Sequence, residues 1–392
     1  MLNNFEYNFD EDVNRVGTNC AKYDGLDRYF GYEDLQPMWV ADMDFKSPKC
    51  INDAIIDAAK NSLYGYSIDG DDIYESIVYW QKTRHNWELD IKDIFMANGV
   101  VPSYSACIEA FSEKGDEVIV QTPVYPPLFK AVTANNRKVV ENRLINDNGY
   151  YTMDFEDLKS KITSKTKILC LCSPHNPVGR VWNKEELETL ADICIAHNIM
   201  IISDEIHSDL TFKKFIPLAS ISEKIAQITL TLNSAGKTFN IAGLNTSYAI
   251  SKNQEILDKF KKEARKREIH SVNFFGYVAT KAAYNEGASY VDDLKKYLQK
   301  NIKFTKEYLQ NNCPKITFLE PEATYLLWLN FANTGLEHNE IKTKLLTEAK
   351  LALNDGVSFG SNADKYFRLN LATNQNALKM GLKKLEITFS YK

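Results

Sequence analysis

The centre of the chain alternates short apolar runs with longer amphipathic stretches. Five of the apolar runs have the length and composition of buried strands: DEVIVQTP, KILCLCSPHNP, IMIISDEIH, ITLTLNSAGK and TSYAIS. Helical stretches lie between several of them, and NKEELETLADICIAHN has Asn183 in position to cap its first turn. This alternation predicts an α/β fold with a mostly parallel sheet covered by helices.

The pattern changes after about residue 285. A long helical stretch, VDDLKKYLQKNIKFTKEYLQNN, is followed by strand-like runs at ITFLEP, TYLLWLNF and YFRLNLA. We expect a large domain at 49–285, a smaller α+β domain at 286–392, and an N-terminal segment at 1–48 that joins the smaller domain. The length of 392 residues is sufficient for two such domains.

Composition excludes several classes of function. Hydrophobic residues make up 44% and charged residues 25%, as in soluble globular proteins, and the net charge of -5 argues against a nucleic-acid or anionic-membrane partner. We find neither a signal peptide nor a run of about 18 apolar residues. The 7 scattered cysteines favour reduced thiols and a cytoplasmic location. No HExxH or CxxC motif indicates a metal site.

Polar residues cluster where the predicted strands end. In open α/β sheets, ligands bind outside the carboxyl ends of the strands, so a site is expected there. The residues at these ends are Tyr125, Asn176, Asp204, His207, Ser234 and Lys237.

Lys237 and Asp204 suit one cofactor when they are taken together. Alone, a lysine usually extends to solvent and an aspartate after a strand usually caps a helix. Pyridoxal phosphate, however, needs an amine for a Schiff base and a carboxylate beside its pyridine nitrogen. It also needs an anion site, which the hydroxyl of Ser234 and the N–H groups of Gly99, Val100 and Val101, before a predicted helix, can supply.

These motifs resemble the fold-type I pyridoxal-phosphate enzymes of the class I/II aminotransferase superfamily. More narrowly, the chain is similar to the cystathionine β-lyase, or C–S lyase, group of the MalY, PatB and cystalysin type. The resemblance covers nearly the whole chain and implies a large domain with a mostly parallel seven-stranded sheet. The matching stretches, in order, are WVADMDF, YGYS, NGVVPS, TPVYPP, SPHNPVGRVW, DEIHSDL, SAGKTFNIAGL and FRLNLA.

The resemblance implies a role for each matching residue around the cofactor. Lys237 would form the Schiff base and act as acid and base, and Asp204 would pair with the pyridine nitrogen. Tyr125 would stack on the ring as the third member of the catalytic set. Asn176 would bind the 3′-oxygen and lie beside the substrate. The phosphate would be bound by Ser234, Gly99, Val100 and Val101.

The resemblance also implies three roles beyond these. Arg368 would bind the substrate carboxylate bidentately, although a surface ion pair is the ordinary alternative. His207 would orient Asp204 or the ring. Tyr64 would reach the phosphate of the neighbouring subunit, which implies a homodimer with shared sites.

Three positions depart from the patterns of related enzymes. Gly236 stands where serine or threonine is common in the group. Asn245 stands where many aminotransferases have an arginine, as expected of the lyase group. Pro126 replaces a second tyrosine found in some members.

We expect a β-lyase that cleaves L-cystathionine or a related cysteine S-conjugate to a thiol, pyruvate and ammonia. Two alternatives remain open at this point. One is an aminotransferase, which shares the early steps of the reaction. The other is a regulatory protein that retains the fold.

Overall fold

The computed structural model describes residues 6–270 and 272–390. The helices, numbered in chain order, are α1 Ala21–Asp24, α2 Leu26–Phe30, α3 Lys49–Lys60, α4 Asp71–His85, α5 Val100–Phe111, α6 Pro127–Ala134, α7 Phe155–Lys161, α8 Lys184–Ala196, α9 Glu223–Ala226, α10 Ala235–Thr238, α11 Gln254–Lys266, α12 Phe274–Glu286, α13 Ala288–Asn312, α14 His338–Thr347 and α15 Gln375–Phe389. The strands are β1 Gln36–Pro37, β2 Ile94–Ala97, β3 Glu117–Thr122, β4 Lys138–Arg143, β5 Ile145–Asp147, β6 Tyr150–Thr152, β7 Thr166–Cys172, β8 Met200–Asp204, β9 Thr229–Asn233, β10 Ser247–Ile250, β11 Leu326–Asn330, β12 Leu351–Ala352, β13 Asn354–Asp355 and β14 Tyr366–Asn370.

A seven-stranded sheet forms the centre of the molecule, in the order β2-β10-β9-β8-β7-β3-β4. Strand β10 runs antiparallel to both of its neighbours, and all other neighbouring pairs are parallel. The predicted α/β class with a mostly parallel sheet is therefore confirmed. The five predicted strands correspond to β3, β7, β8, β9 and β10.

Helices cover both faces of this sheet, which is why its central strands are buried along nearly their whole length. Along β7, Cys170 packs with side chains of α5, α6 and α11, whereas Leu171 packs on the opposite face with α7 and α8. Helix α8 begins as predicted. Asn183 accepts a hydrogen bond from the Glu186 N–H at 2.8 Å and completes a capping box.

The C-terminal region, residues 286–390, has a three-stranded antiparallel sheet in the order β11-β14-β13. The N-terminal segment contacts it through β1, which pairs in parallel with β12. The predicted strand at ITFLEP is wrong, since only Thr317 makes a bridge, to Asn330. Leu319 in that stretch is exposed and Pro321 has no N–H to donate. The domain boundaries stay predictions.

Within residues 6–270 and 272–390, no helix is long and apolar enough to cross a bilayer. In these same ranges His, Cys, Asp and Glu side chains form no group of three or more suited to a metal ion. All seven cysteines carry free thiols. The cellular compartment stays a prediction.

Candidate active site

The carboxyl ends of β7, β8 and β9 open into a cavity of about 220 Å³. Nine of the eleven predicted site residues line it, although they come from positions spread over nearly 140 residues of chain. They are Gly99, Val100, Val101, Tyr125, Asn176, Asp204, His207, Ser234 and Lys237. Arg368 joins them through a contact with Asn176, whereas Tyr64 lies elsewhere.

Lys237 lies on the short helix α10, directly after β9. Its Nζ donates a hydrogen bond to the main-chain carbonyl of Ala41 at 2.6 Å. Burial, helped by the positive charge of Arg368, lowers the pKa of the lysine to about 8. A larger fraction of the amine is therefore neutral near pH 7 than for an exposed lysine, which makes it a nucleophile and a base.

Asp204 ends β8 and is only 5% exposed. Burial raises the pKa of its carboxyl to about 6, while a hydrogen bond from the Ile206 N–H at 3.1 Å and the charge of Lys237 act in the opposite direction. Burial and the Asp204 charge together raise the pKa of the neighbouring Tyr104 hydroxyl. A cation placed against Asp204 would therefore stabilise the ionised carboxylate.

Helix α5 provides the anion-binding end of the cavity. It begins at Val100 after Gly99, whose φ of 141° is a conformation that side chains disfavour. The Gly99 N–H donates to Ser247 Oγ at 2.9 Å. The N–H groups of Val100 and Val101, at the helix start, have no intrahelical acceptor and are suited to a phosphate.

The hydroxyl of Ser234 is held by the protein on two sides. It donates to the Thr246 carbonyl at 2.5 Å and accepts from the Gly236 N–H at 2.9 Å. A Cβ at Gly236 would lie 3.0 Å from Ser234 Oγ. A side chain at this position would therefore lie in close contact with the Ser234 hydroxyl.

Arg368 lies on β14 and is only 3% exposed. Its Nη1 donates to Asn176 Oδ1 at 3.0 Å, and its Nη2 donates to the Trp39 carbonyl at 3.0 Å and to Asn354 Oδ1 at 2.6 Å. Its Nε is buried without a partner among the described residues. Burial lowers the pKa of the guanidinium to about 10. A buried cation held by neutral acceptors is a favourable site for a carboxylate.

His207 is 3% exposed and its Nδ1 has no partner among the described residues. Burial, together with the charges of Lys237 and Arg368, lowers its pKa to about 3, so the ring is neutral at pH 7. It contacts the ring of Tyr325 edge-on, with the ring centroids 6.1 Å apart. Tyr125 also lines the cavity, and burial raises the pKa of its hydroxyl.

Tyr64 does not line the cavity in a single chain. Its side chain is 64% exposed, and its hydroxyl donates to the Ala59 carbonyl at 3.3 Å. The apolar side chains around it, Leu63, Tyr66 and Ile68, are exposed as well. The predicted role of Tyr64 in a neighbouring subunit stays a prediction.

Several residues of the site were not found from the sequence. They act through main-chain carbonyls, as Trp39 and Ala41 do, or come from a strand of two residues, as Asn354 does. The WVADMDF motif indicates that this segment belongs to the family pattern, but it does not reveal that the segment contacts the site through its main-chain carbonyls. Asn354 has no signal in the sequence.

The arrangement fits pyridoxal phosphate. The cavity is lined by an amine of low pKa, a buried carboxylate and the first residues of α5, whose N–H groups have no intrahelical acceptor. Two buried polar atoms, Asn98 Oδ1 and His207 Nδ1, have no partner among the described residues. Lys237 would hold the aldehyde, Asp204 the pyridine nitrogen, and Val100 with Val101 the phosphate.

Comparisons with known proteins agree with this assignment. The family model described as aminotransferase class I and II matches residues 40–385. The cystathionine β-lyase PatB of Bacillus subtilis (strain 168) is 36% identical over 386 residues, covering 98% of this chain and 100% of that protein.

Two solved structures with bound pyridoxal phosphate are also similar. One, from Clostridium difficile 630, has a TM-score of 0.96 and 41% identity, covering 98% of this chain and 100% of that one. The other, cystalysin from Treponema denticola, has a TM-score of 0.95 and 32% identity, covering 98% and 99%. The chain therefore belongs to the class I and II aminotransferase family, whose members use pyridoxal phosphate.

Proposed function

We propose that the protein is a C–S β-lyase that cleaves L-cystathionine or a related cysteine S-conjugate to a thiol, pyruvate and ammonia. The similarity to PatB, a cystathionine β-lyase, and to cystalysin supports this choice. The observation that carries the amino-acid chemistry is the presence of Lys237 and Arg368 in one site, and the choice of elimination rests on the similarity to PatB and cystalysin. The two side chains are close enough that the positive charge of Arg368 helps to lower the pKa of Lys237.

Arg368 binds the α-carboxylate of the substrate in this proposal. Its guanidinium is anchored by Asn176 and Asn354, both neutral, so it retains a full charge for the ligand. An amino acid held there has its Cα directed to the lysine end of the cavity. Orientation of this kind reduces the entropic cost of the proton transfer.

Pyridoxal phosphate, when bound, supplies an electron sink that accepts the electron pair left when Cα loses its proton. Asp204 keeps a positive charge on the pyridine nitrogen, because a buried carboxylate stabilises an adjacent cation. Lys237 Nζ accepts the Cα proton, and the Ala41 carbonyl holds the resulting ammonium by a hydrogen bond.

Elimination then follows because the substrate carries a sulfur leaving group on Cβ. The Cβ–S bond breaks with its electron pair on sulfur, which leaves as a thiol after protonation. The remaining aminoacrylate takes up water to give pyruvate and ammonia. The neutral His207 and the tyrosine Tyr125 line the cavity without adding a charge that would oppose the departing thiolate.

An aminotransferase is the second candidate, because the family includes such enzymes and the reaction uses the same residues. The two reactions diverge only after the Cα proton has been removed. A substrate with a leaving group at Cβ favours elimination, whereas transamination needs a keto acid to complete each turnover.

One experiment separates these candidates. The absorbance spectrum of the purified protein is recorded before and after addition of L-cystathionine, and pyruvate and free thiol are assayed together. Equal amounts of pyruvate and thiol support the lyase. Conversion of the cofactor to its amine form, with no thiol and a requirement for a keto acid, supports the aminotransferase and contradicts the proposal.

Lys237→Ala tests the mechanism itself. We expect lyase turnover to fall by orders of magnitude, because the base at Cα is removed. Lys259→Ala, at an exposed lysine of α11, is the matched control and should retain full turnover. A regulatory activity independent of catalysis would survive Lys237→Ala, whereas undiminished lyase turnover in this variant would refute the proposed role of the lysine.

A further inference from the structure

A second cavity, of about 380 Å³, lies between the end of α4, the segment that follows β8, and α13. It shares no lining residue with the active site among the residues that the structure describes. Five cationic side chains line it, and we call it the basic cavity. They are Lys82 and Arg84 of α4, Lys213 and Lys214 of the segment after β8, and Lys295 of α13.

The basic cavity collects positive charge although the chain as a whole has a net charge of -5. A helix C-terminus attracts cations, which accounts for Lys82 and Arg84 on α4. It does not account for three lysines that reach the same cavity from two other elements. Positive charges that converge from separate elements create a local positive potential, which attracts an anion.

Carboxylates balance only part of this charge. Three of the cations have acidic partners at 2.5–3.2 Å, namely Lys82 with Glu88, Arg84 with Asp292 and Lys213 with Glu322. Lys214 and Lys295 make no ion pair among the described residues, and Lys295 is partly buried. Burial and, to a smaller extent, the neighbouring Arg84 lower the pKa of Lys295, and the charges of Asp292 and Asp209 offset part of this effect.

Within the described ranges, Asp209 is the one carboxylate that lines the basic cavity, and its oxygens are already occupied. They accept hydrogen bonds from His85 Nε2 at 2.8 Å, Trp80 Nε1 at 3.0 Å and Thr238 Oγ1 at 2.8 Å. Since Thr238 follows Lys237 in α10, Asp209 links a wall of the basic cavity to the helix that carries the active-site lysine.

We propose that the basic cavity binds a small anion with several negative charges, of the phosphate or pyrophosphate class. Lys214 and Lys295 bind the anion directly, and Arg84 contributes a third positive charge. The volume of about 380 Å³ leaves room for such an anion together with water, and the two lysines adjust to its oxygens on their flexible stems. The site is separate from the amino-acid site, so it does not depend on the lyase proposal.

Isothermal titration of the cofactor-loaded protein with inorganic pyrophosphate tests the proposal, with inorganic phosphate and chloride as weaker anions for comparison. We expect saturable binding that is tightest for pyrophosphate and weakens as salt is added. Lys214→Met and Lys295→Met should each weaken it about tenfold, because each removes one charge-assisted hydrogen bond. Lys259→Met removes the same charge from the exposed face of α11 and is the matched control.

Two further variants locate the binding in the basic cavity. Arg368→Lys separates the basic cavity from the active site, and pyrophosphate binding should be unchanged in it. Lys295 is partly buried, so its replacement could weaken binding through lost packing. Lys214→Glu avoids this ambiguity, because Lys214 is exposed and its replacement leaves the core intact. The proposal would be overturned if the wild type did not bind pyrophosphate, or if Lys259→Met weakened binding as much as Lys214→Met and Lys295→Met do. It would also be overturned if Lys214→Glu left binding unchanged or if Arg368→Lys abolished it.

Discussion

Replacement of Arg368 by lysine tests how the substrate carboxylate is bound. The variant keeps a positive charge on β14 but loses the planar fork that reaches Asn176, Trp39 and Asn354 at once. A lysine has a single nitrogen at the end of its side chain and cannot satisfy these acceptors and also make two parallel bonds to a carboxylate. We therefore expect weaker substrate binding together with a modest loss of stability.

The size of the effect follows from the contacts that are lost. A hydrogen bond with one charged partner contributes roughly 1.5–3 kcal/mol, and the variant loses about one of the two to the carboxylate. The expected drop in kcat/KM is therefore roughly 10- to 150-fold. Each buried acceptor left without a donor costs about 1–3 kcal/mol, so we expect the free energy of unfolding to fall by about that amount.

The assay compares two substrates in wild type and variant. One is a cysteine S-conjugate, and the other is the same compound with hydrogen in place of the α-carboxylate. If Arg368 binds the carboxylate, the variant loses activity on the first substrate, mainly through KM, and hardly at all on the second. Arg143→Lys, at an exposed arginine of β4, is the control for the chemical change alone.

Two results would refute this reasoning. One is an equal loss of activity on both substrates, which would mean that Arg368 supports the site only through its packing against Asn176 and Phe359. The other is an unchanged kcat/KM on the carboxylate substrate in a variant that urea denaturation shows to be folded.

Three other predictions give independent checks. Because burial raises the Asp204 pKa from 3.8 to about 6, the contribution of this carboxyl to the stability of the cofactor-free protein should fall by up to roughly 3 kcal/mol as pH rises from about 4 to about 6. Glu205, whose pKa burial raises to about 8, gives a slope of the same sign. The test is therefore the difference between wild type and Asp204→Asn in urea denaturation, and a difference that stays constant over this pH range would contradict the prediction. Gly99→Ala should weaken cofactor binding at least tenfold in an absorbance titration, because φ at Gly99 is positive and the new Cβ would lie 3.2 Å from Pro102. Gly335→Ala is the control, since Gly335 also has a positive φ but a Cβ there would meet no other atom within 4 Å, and cofactor binding should be unchanged. If Tyr64 completes the neighbouring site, a refolded equal mixture of Tyr64→Ala and Lys237→Ala should recover about a quarter of wild-type activity, and no recovery would argue against shared sites.

The sequence predicted the large sheet well because its central strands are buried on both faces. β3, β7, β8 and β9 are buried along their whole length or nearly so, and Asp204 at the end of β8 and Lys237 just after β9 are the polar groups that the chemistry requires. Asp204 and Lys237 could therefore be placed together before any geometry was known. The outer strand β4 was missed, since its mixed polar sequence, KVVENR, has no apolar run.

The contacts that complete the site were not predictable in the same way. The Ala41 carbonyl meets Lys237 across 196 positions of sequence, and every residue type has such a carbonyl. Asn354 reaches Arg368 from a strand of two residues, which no periodicity can reveal. The close approach of position 236 to the Ser234 hydroxyl is likewise defined only by the folded chain.

The segment from Trp39 to Asp42 contacts the catalytic residues through its backbone. Its carbonyls accept hydrogen bonds from Arg368 at Trp39, from Asn370 at Val40 and Asp42, and from both Lys237 and Tyr325 at Ala41. Substitution of a side chain here leaves all of these acceptors in place, whereas insertion or deletion of one residue displaces them together. The main-chain contacts are thus independent of the side chains that the segment carries but sensitive to its length, so that a single insertion or deletion would disturb Lys237, Arg368 and Tyr325 at once.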